Sequence, residues 1–363
     1  MEKKLRAIAI YLPQFHPFKE NNEWWGNGFT EWTNVVKGKK IVKGQYQPHL
    51  PSDLGFYDLR LEEVREAQVE LAKTNGISGF CYYHYWFNGK RMLQKPIDEV
   101  LRLKKPDFPF CFCWANESWS RNWDGRNKDI LLHQNYNDDD DREHIKFLCE
   151  NVFNDERYIK VDGKPLFIIY RPSLFPDIKR TVHIWREEAK KYGFENLYLG
   201  SFWSFDAGVN PSSYGLDFAA MFPPNEIPLR REDNYIGYVL KKLGIKLTVK
   251  QKYNVYKYKK LVDYCCNMIF PTSYLLYPGI TPMWDNYVRR RNGGGRIFIN
   301  STPTLYKKWL ENISNKFNPP SAEENFIFIN AWNEWAEGNH LEPCEKWGHQ
   351  YLEATKAVMK KYM

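Results

Sequence analysis

The 363-residue sequence predicts a (β/α)8 barrel of the α/β class, and three observations carry that prediction. Eight short apolar runs alternate with amphipathic stretches of helical period, the pattern of a parallel sheet wrapped in helices. Each run is rich in Ile, Val, Phe and Tyr and is bounded by Gly, Pro or Asn, as strands buried on both faces require. Polar and aromatic residues then cluster just past the C-terminal end of strand after strand. Barrels build their sites on that face, whereas an open doubly wound sheet gathers them at one switch point.

The elements follow in order. Residues 5–12 form the first strand, and a long loop leads to a helical pattern at 61–75. Strands at 77–83, 108–114 and 165–170 are each followed by a helix, at 92–104, 140–153 and 177–192. Strands at 197–202 and 216–222 come next; a strand at 277–283 leads to a helix at 304–316, and one at 326–332 to a final helix at 348–360. Ser301 and Thr302 before Pro303, and the acidic run before Arg142, are good N-terminal caps. Residues 1–363 thus read as one barrel, with 230–263 a basic helical insertion between the sixth and seventh strands.

Charge is concentrated in that insertion. Residues 230–260 hold ten Lys and Arg against Glu232 and Asp233, an excess of eight that equals the net charge of +8 of the whole chain. The rest is electrically balanced, so a global basic surface for nucleic acid is excluded. The insertion has two readings: a solvated helical face, or a surface over the barrel mouth that attracts an acidic glycan or an anionic membrane. No obligate protein partner is signalled.

A hydrophobic fraction of 43% excludes global disorder, and no apolar run is long enough for a membrane-spanning helix. The N-terminal segment begins like a leader at Lys3-Lys4-Leu5 but stops at Pro13-Gln14 without a small-residue cleavage site, so it reads as the first core strand of a cytoplasmic protein. The seven cysteines, most of them in apolar runs, read as buried hydrophobes in a reducing compartment. Neither they nor the eight histidines have metal-ligand spacing, and no cofactor is expected.

The strand ends carry the chemistry. After the first strand come Tyr11, His16, Trp24, Trp25, Glu31, Trp32 and His49; after the second, Tyr83, His84 and Trp86. The third supplies Trp114, Asn116, Trp119, Arg121 and Asp124, the fourth Tyr170 and Arg171, and the fifth Trp203. Trp284 and Asp285 follow the seventh, and Asn333 and Trp335 the eighth. Aromatic faces stack on the apolar faces of sugar rings while planar polar groups bond the hydroxyls, so this set describes a carbohydrate cleft. The reading rests on recurrence, since any one Trp or His is more often a packing residue. Cleavage of a glycosidic bond needs two carboxyl groups. Glu334 and Glu337, three residues apart after the eighth strand, can face one cleft if that segment coils. Glu117 is the rival, because Asn116-Glu117 after a barrel strand resembles the acid/base pair of many barrel glycosidases, and spacing does not rank it against Glu334.

Five motifs together resemble a known family. Leu12-Pro13-Gln14-Phe15-His16-Pro17, Gly28-Phe29-Thr30-Glu31-Trp32-Thr33-Asn34-Val35, Tyr46-Gln47-Pro48-His49-Leu50-Pro51, Trp114-Ala115-Asn116-Glu117-Ser118-Trp119 and Asn330-Ala331-Trp332-Asn333-Glu334-Trp335-Ala336-Glu337-Gly338 are similar to those of the WbsX-type proteins. These are glycoside hydrolase family 99-like proteins of bacterial surface-polysaccharide (O-antigen, capsule) loci. The resemblance implies a (β/α)8 barrel and retaining, endo-acting hydrolysis of an α-linked glycan. It also implies that Glu337 is the acid/base and that Glu334 deprotonates the sugar 2-hydroxyl, which then attacks the anomeric carbon. Ala336 stands where family 99 enzymes proper usually have a histidine, so mannan specificity does not carry over.

The family name also carries a glycosyltransferase label. A metal-dependent transferase wants a DxD on a loop, but the acidic run at 138–141 reads as a helix N-terminus, and Gly293-Gly294-Gly295 lacks the helix start of a phosphate cradle. A hydrolase or transglycosidase is preferred. A glycan-binding protein without turnover would share the aromatics but would not need the two glutamates.

Overall fold

The computed structural model describes residues 3–121, 126–225, 227–232, 253–290 and 294–363. Its core is a parallel barrel. The barrel strands are β1 (Arg6–Tyr11), β2 (Gly79–Phe87), β3 (Phe110–Trp114), β4 (Lys164–Ile169), β5 (Tyr198–Trp203) and β6 (Phe218–Met221). They continue with β7, in two segments (Leu276–Tyr277 and Gly279–Ile280), and β8 (Phe326–Ile329). Neighbours in space are neighbours in sequence, and β1 pairs with β8 in the register Ile8↔Phe328. The circle closes at β7: Leu276 pairs with Ala219 of β6, and Ile280 with Ile329 of β8. Between the two segments, the Pro278 carbonyl accepts from Phe328 N at 2.9 Å.

The interior is filled by side chains, as in other small barrels. Phe328 on β8 meets Phe202 on β5 at 5.5 Å between ring centroids. The closing strand leaves no room for a side chain at Gly279, where a Cβ would lie 2.0 Å from the Met221 carbonyl oxygen. Gly279→Ala is therefore expected to cost about 3 kcal/mol of unfolding free energy, since the obstacle is backbone and cannot rotate away. Urea denaturation checks it, and an unchanged midpoint would show that β6 and β7 can part without loss.

The helices are α1 (Lys19–Trp25), α2 (Trp32–Val35), α3 (Glu62–Thr74), α4 (Lys95–Leu103), α5 (Asp138–Asn151), α6 (Ile178–Lys191), α7 (Tyr258–Asn267), α8 (Pro303–Lys316) and α9 (Gln350–Met359). Six of these nine helices of the described residues, α3 to α6, α8 and α9, stand where helical periodicity predicts them. The start predicted at 92 is taken by a short strand, Lys90–Met92, that pairs antiparallel with the end of β2. Between β5 and β6 the only helical element among the described residues is the 3₁₀ turn Pro211–Tyr214. The caps act as their chemistry requires: the Asn137 side chain accepts from Asp140 N and Thr302 from Leu305 N.

The predicted basic insertion falls largely outside the described residues. Its described end is a strand, Asn254–Lys257, pairing in parallel with Arg296–Ile299, and the first turns of α7. Two of its lysines, Lys257 and Lys260, pair with Glu232. Among the described residues no helix is long and apolar enough to cross a membrane.

Candidate active site

All eight strand ends contribute to one cleft of about 580 Å³ at the C-terminal mouth of the barrel. Leu12 and Gln14 come from β1, Tyr83 and Tyr85 from β2, Glu117 and Trp119 from beyond β3, and Tyr170 from β4. Phe205, Phe222 and Asn225 follow β5 and β6; Trp284, Asn286 and Arg289 follow β7; Glu334 and Glu337 follow β8.

The β8 loop explains how two glutamates share that cleft. Asn333–Glu334 pairs antiparallel with Asn339–His340, and the 3₁₀ turn Trp335–Glu337 between them puts positions three apart on one side. Gly338 closes the turn in the left-handed region at φ 55°, where a Cβ would lie 2.8 Å from His49 Nε2. The turn is pinned to β7 by Asp285 N donating to the Glu337 carbonyl at 2.6 Å. Both glutamates line the cleft.

Arg289, at the end of a 3₁₀ turn (Tyr287–Arg289), holds three carboxyl groups together. Its Nη2 donates to Glu334 Oε2 at 2.9 Å and to Glu31 Oε2 at 3.1 Å, and its Nη1 lies 3.0 Å from Glu337 Oε1. Burial opposes the guanidinium charge, yet Glu31, Glu334 and Glu337 together hold its pKa well above the ordinary arginine value. Burial raises Glu31, with Arg289 opposing. It raises Glu334 too, with Arg289 opposing and Glu337 and Glu31 adding to the rise. One guanidinium faces three carboxyl groups, and burial together with this crowding favours the protonated forms of Glu31 and Glu334. Side-chain exposure is 6% at Glu334 and 20% at Glu337, which makes Glu337 the member that meets the cleft's contents most openly.

Below this cluster lies a second buried layer. Burial pushes Asp285 up to about 7 while Gln45 donates to its Oδ2 at 2.6 Å. Burial likewise pushes Glu342 up to about 7; it accepts from Tyr57, Gln68 and Trp335 Nε1, and the last bond fixes the indole between the two glutamates.

The structure gathers some sequence candidates and disperses others. Trp24, Trp25, Tyr83, Glu117, Trp119, Tyr170, Trp284, Glu334 and Glu337 line the cleft. Strand parity removes His84, Trp86 and Trp114. On β2, Tyr83 and Tyr85 reach the cleft, so His84 and Trp86 point the other way, to His144 and Asp140 of α5. Trp114 is likewise buried against His144 and Trp185. Tyr11 bonds Gln68, and His49 bonds His340, each buried behind the mouth. Trp32 packs on Phe15, Tyr57 and Trp335, and Trp335 stacks on His340.

Asn333 is spent on backbone: its Oδ1 accepts from Leu12 N at 2.7 Å and its Nδ2 donates to Leu12 O at 3.1 Å, stapling β1 to the β8 loop. Asn116 does the same for Arg171, whose guanidinium pairs with Glu117 at 2.7 Å and lies 3.9 Å over the Phe205 ring. Glu117, the rival catalyst, is thus held in an ion pair on the cleft wall. Arg121 stands over the Trp25 ring, His16 lies on a separate hollow beside Arg60 and Arg91, Trp203 borders Tyr274, and Asp285 and Glu31 lie beneath the surface of the cleft. Asp124 falls outside the described residues.

Sequence reasoning missed Arg289, Tyr85, Gln14, Arg290 and Arg296, all on the cleft wall. Tyr85 was accessible through the two-residue period that links it to Tyr83. The acidic run at 138–141 occupies the first turn of α5, where Asp138 bonds Arg180, Asp140 bonds Trp86 and Asp141 bonds Thr181. These carboxylates serve helix packing rather than a loop site.

Comparison with known proteins adds relatives to this geometry. A family model described as "Glycosyltransferase WbsX" matches residues 7–355. Two proteins described as "Uncharacterized protein WxcX", from two strains of Xanthomonas campestris pv. campestris, are 39% identical over 362 residues, covering 97% of this chain and 49% of theirs. The chain therefore spans about half the length of the curated relatives it matches. A solved "Glycoside hydrolase-like protein" superposes with a TM-score of 0.61 at 15% identity, over 99% of this chain and 94% of its own. The GH99 endo-alpha-mannosidase from Bacteroides thetaiotaomicron, in complex with bis-tris propane, superposes with a TM-score of 0.57 at 12% identity, over 98% and 97%. At these identities the likeness to the solved structures is one of fold.

Proposed function

The chain belongs to the WbsX glycosyltransferase family, and from that premise we propose that it is a carbohydrate-active enzyme cleaving an α-linked bacterial surface polysaccharide internally, with retention at the anomeric carbon. The observation that carries this reading is the convergence of Glu31, Glu334 and Glu337 on Arg289, at the floor of an aromatic cleft of oligosaccharide size.

Each residue has a role. Glu334, made more basic by burial and kept within reach of ionisation by Arg289, takes the proton of the sugar 2-hydroxyl. The freed oxygen attacks the anomeric carbon as the glycosidic bond breaks. Glu337, more open to the cleft, gives a proton to the leaving oxygen. Water then enters; Glu337 takes its proton, the hydroxide attacks the same carbon, and Glu334 returns a proton to the 2-oxygen. Trp24, Trp25 and Trp119 stack sugar rings beside the scissile bond. The seven cysteines are all buried and unpaired, which supports work in a reducing compartment.

A panel of bacterial surface polysaccharides tests the reading. New reducing ends are expected without any added nucleotide sugar. Product that forms only when a nucleotide sugar is supplied would overturn hydrolysis in favour of transfer, and transfer to another sugar is the second reading, supported by the family's description.

A further inference from the structure

We propose that the end of the cleft formed by the β6 and β7 loops is a subsite for an anionic group of the saccharide, a carboxylate or a phosphate, held by Arg290 and Arg296. The inference rests on the glycan reading of the cleft and extends it to substrate class.

The barrel order sets the geometry. β8 lies between β1 and β7, so the carboxyl cluster sits between what those two neighbours carry. On the β1 side the wall is aromatic, with Phe18, Trp24 and Trp25 joined by Trp119, which lies 5.9 Å from Trp24. On the β7 side Phe222 and Trp284 are joined by Arg290, Arg296, Asn225, Asn254 and Asn286. A saccharide lying across the mouth therefore meets mainly stacking surfaces on one side of the cleavage point, and hydrogen-bond donors with positive charge only on the other.

The two arginines differ from their neighbours in having no carboxylate partner among the described residues. Arg289 is matched by three, and Arg171 by Glu117. Among the described residues neither Arg290 nor Arg296 has a salt bridge, and Arg296 gives only an Nη1 bond to the Pro224 carbonyl at 3.3 Å. Arg296 is nevertheless fixed in place. Its backbone N donates to Asn286 Oδ1 at 2.8 Å, its carbonyl accepts from Asn286 N at 3.2 Å, and its strand pairs Asn254 opposite it. A guanidinium on a fixed strand at the wall of a cleft, with no carboxylate partner among the described residues, can bind carboxylate or phosphate through paired N–H donors.

The test measures binding of D-glucuronate, inorganic phosphate and D-glucose by calorimetry, with the wild type and an Arg290→Gln/Arg296→Gln double variant. One or both anions are expected to bind the wild type, glucose to bind far more weakly, and the double variant to lose about tenfold or more in anion affinity. Preference for glucuronate identifies a uronic acid as the source, and preference for phosphate a phosphorylated sugar. Circular dichroism and the thermal midpoint of the double variant confirm that it is folded; each single variant replaces it if it is not. Anion binding that the variants do not weaken, or no preference for anions over glucose, would overturn the subsite. Reducing-end release does not depend on this result, so the subsite and the cleavage reading fail separately.

Discussion

Arg289→Met is expected to lower the unfolding free energy by about 3–5 kcal/mol at pH 8 and by much less at pH 5. The substitution keeps the apolar bulk of the stem and removes the cation that three carboxyl groups share. Glu31 and Glu334 are buried and their folded pKa values already lie above the unfolded value of about 4.3. A carboxyl raised in this way is tolerated fully while it is protonated in both states, below the unfolded value. Its contribution is lost as pH rises toward and through the folded one. Arg289 is what limits the rise, so its removal widens the window and deepens the loss at the alkaline end. Urea denaturation of wild type and variant at the two pH values measures the difference. An equal loss at both would mean that Arg289 acts by packing alone and not by countering the charge of Glu31 and Glu334.

The fold was legible because barrel strands buried on both faces leave an unmistakable apolar run, and the β8 segment at 326–332 is one such run. The pair Glu334 and Glu337 was legible for a related reason: three-residue spacing at a strand end matches the turn observed there. Arg289 was not. It stands in Arg289-Arg290-Arg291, which by itself reads as a solvated charge run, and only the placement of Glu31 across 258 residues of chain shows what it neutralises. A count of strand-end glutamates would have signalled that a buried cation had to accompany them. The errors over His84, Trp86 and Trp114 have one cause: a strand end alternates sides, and residues facing the helices were pooled with those facing the mouth. His49 and Asn333 failed differently. Their partners, His340 and the Leu12 backbone, lie 291 and 321 residues away, and no local pattern announces them.

The Glu334 and Glu337 pair is the centre of the functional account, and Glu337→Gln isolates it. The amide keeps the size of the side chain and an oxygen for Arg289 Nη1, but it neither gives nor takes a proton at the leaving oxygen. Loss of a positioned acid/base is worth about a thousandfold, within the range such groups contribute. The aromatic walls at Trp24, Trp25 and Trp119 are untouched, so the proposed saccharide binding is expected to persist. Reducing-end release and polysaccharide affinity, measured on the same preparations of wild type and Glu337→Gln, test the claim most directly. The account predicts turnover lower by about a thousandfold with affinity within about threefold of wild type; turnover at the wild-type rate would contradict it.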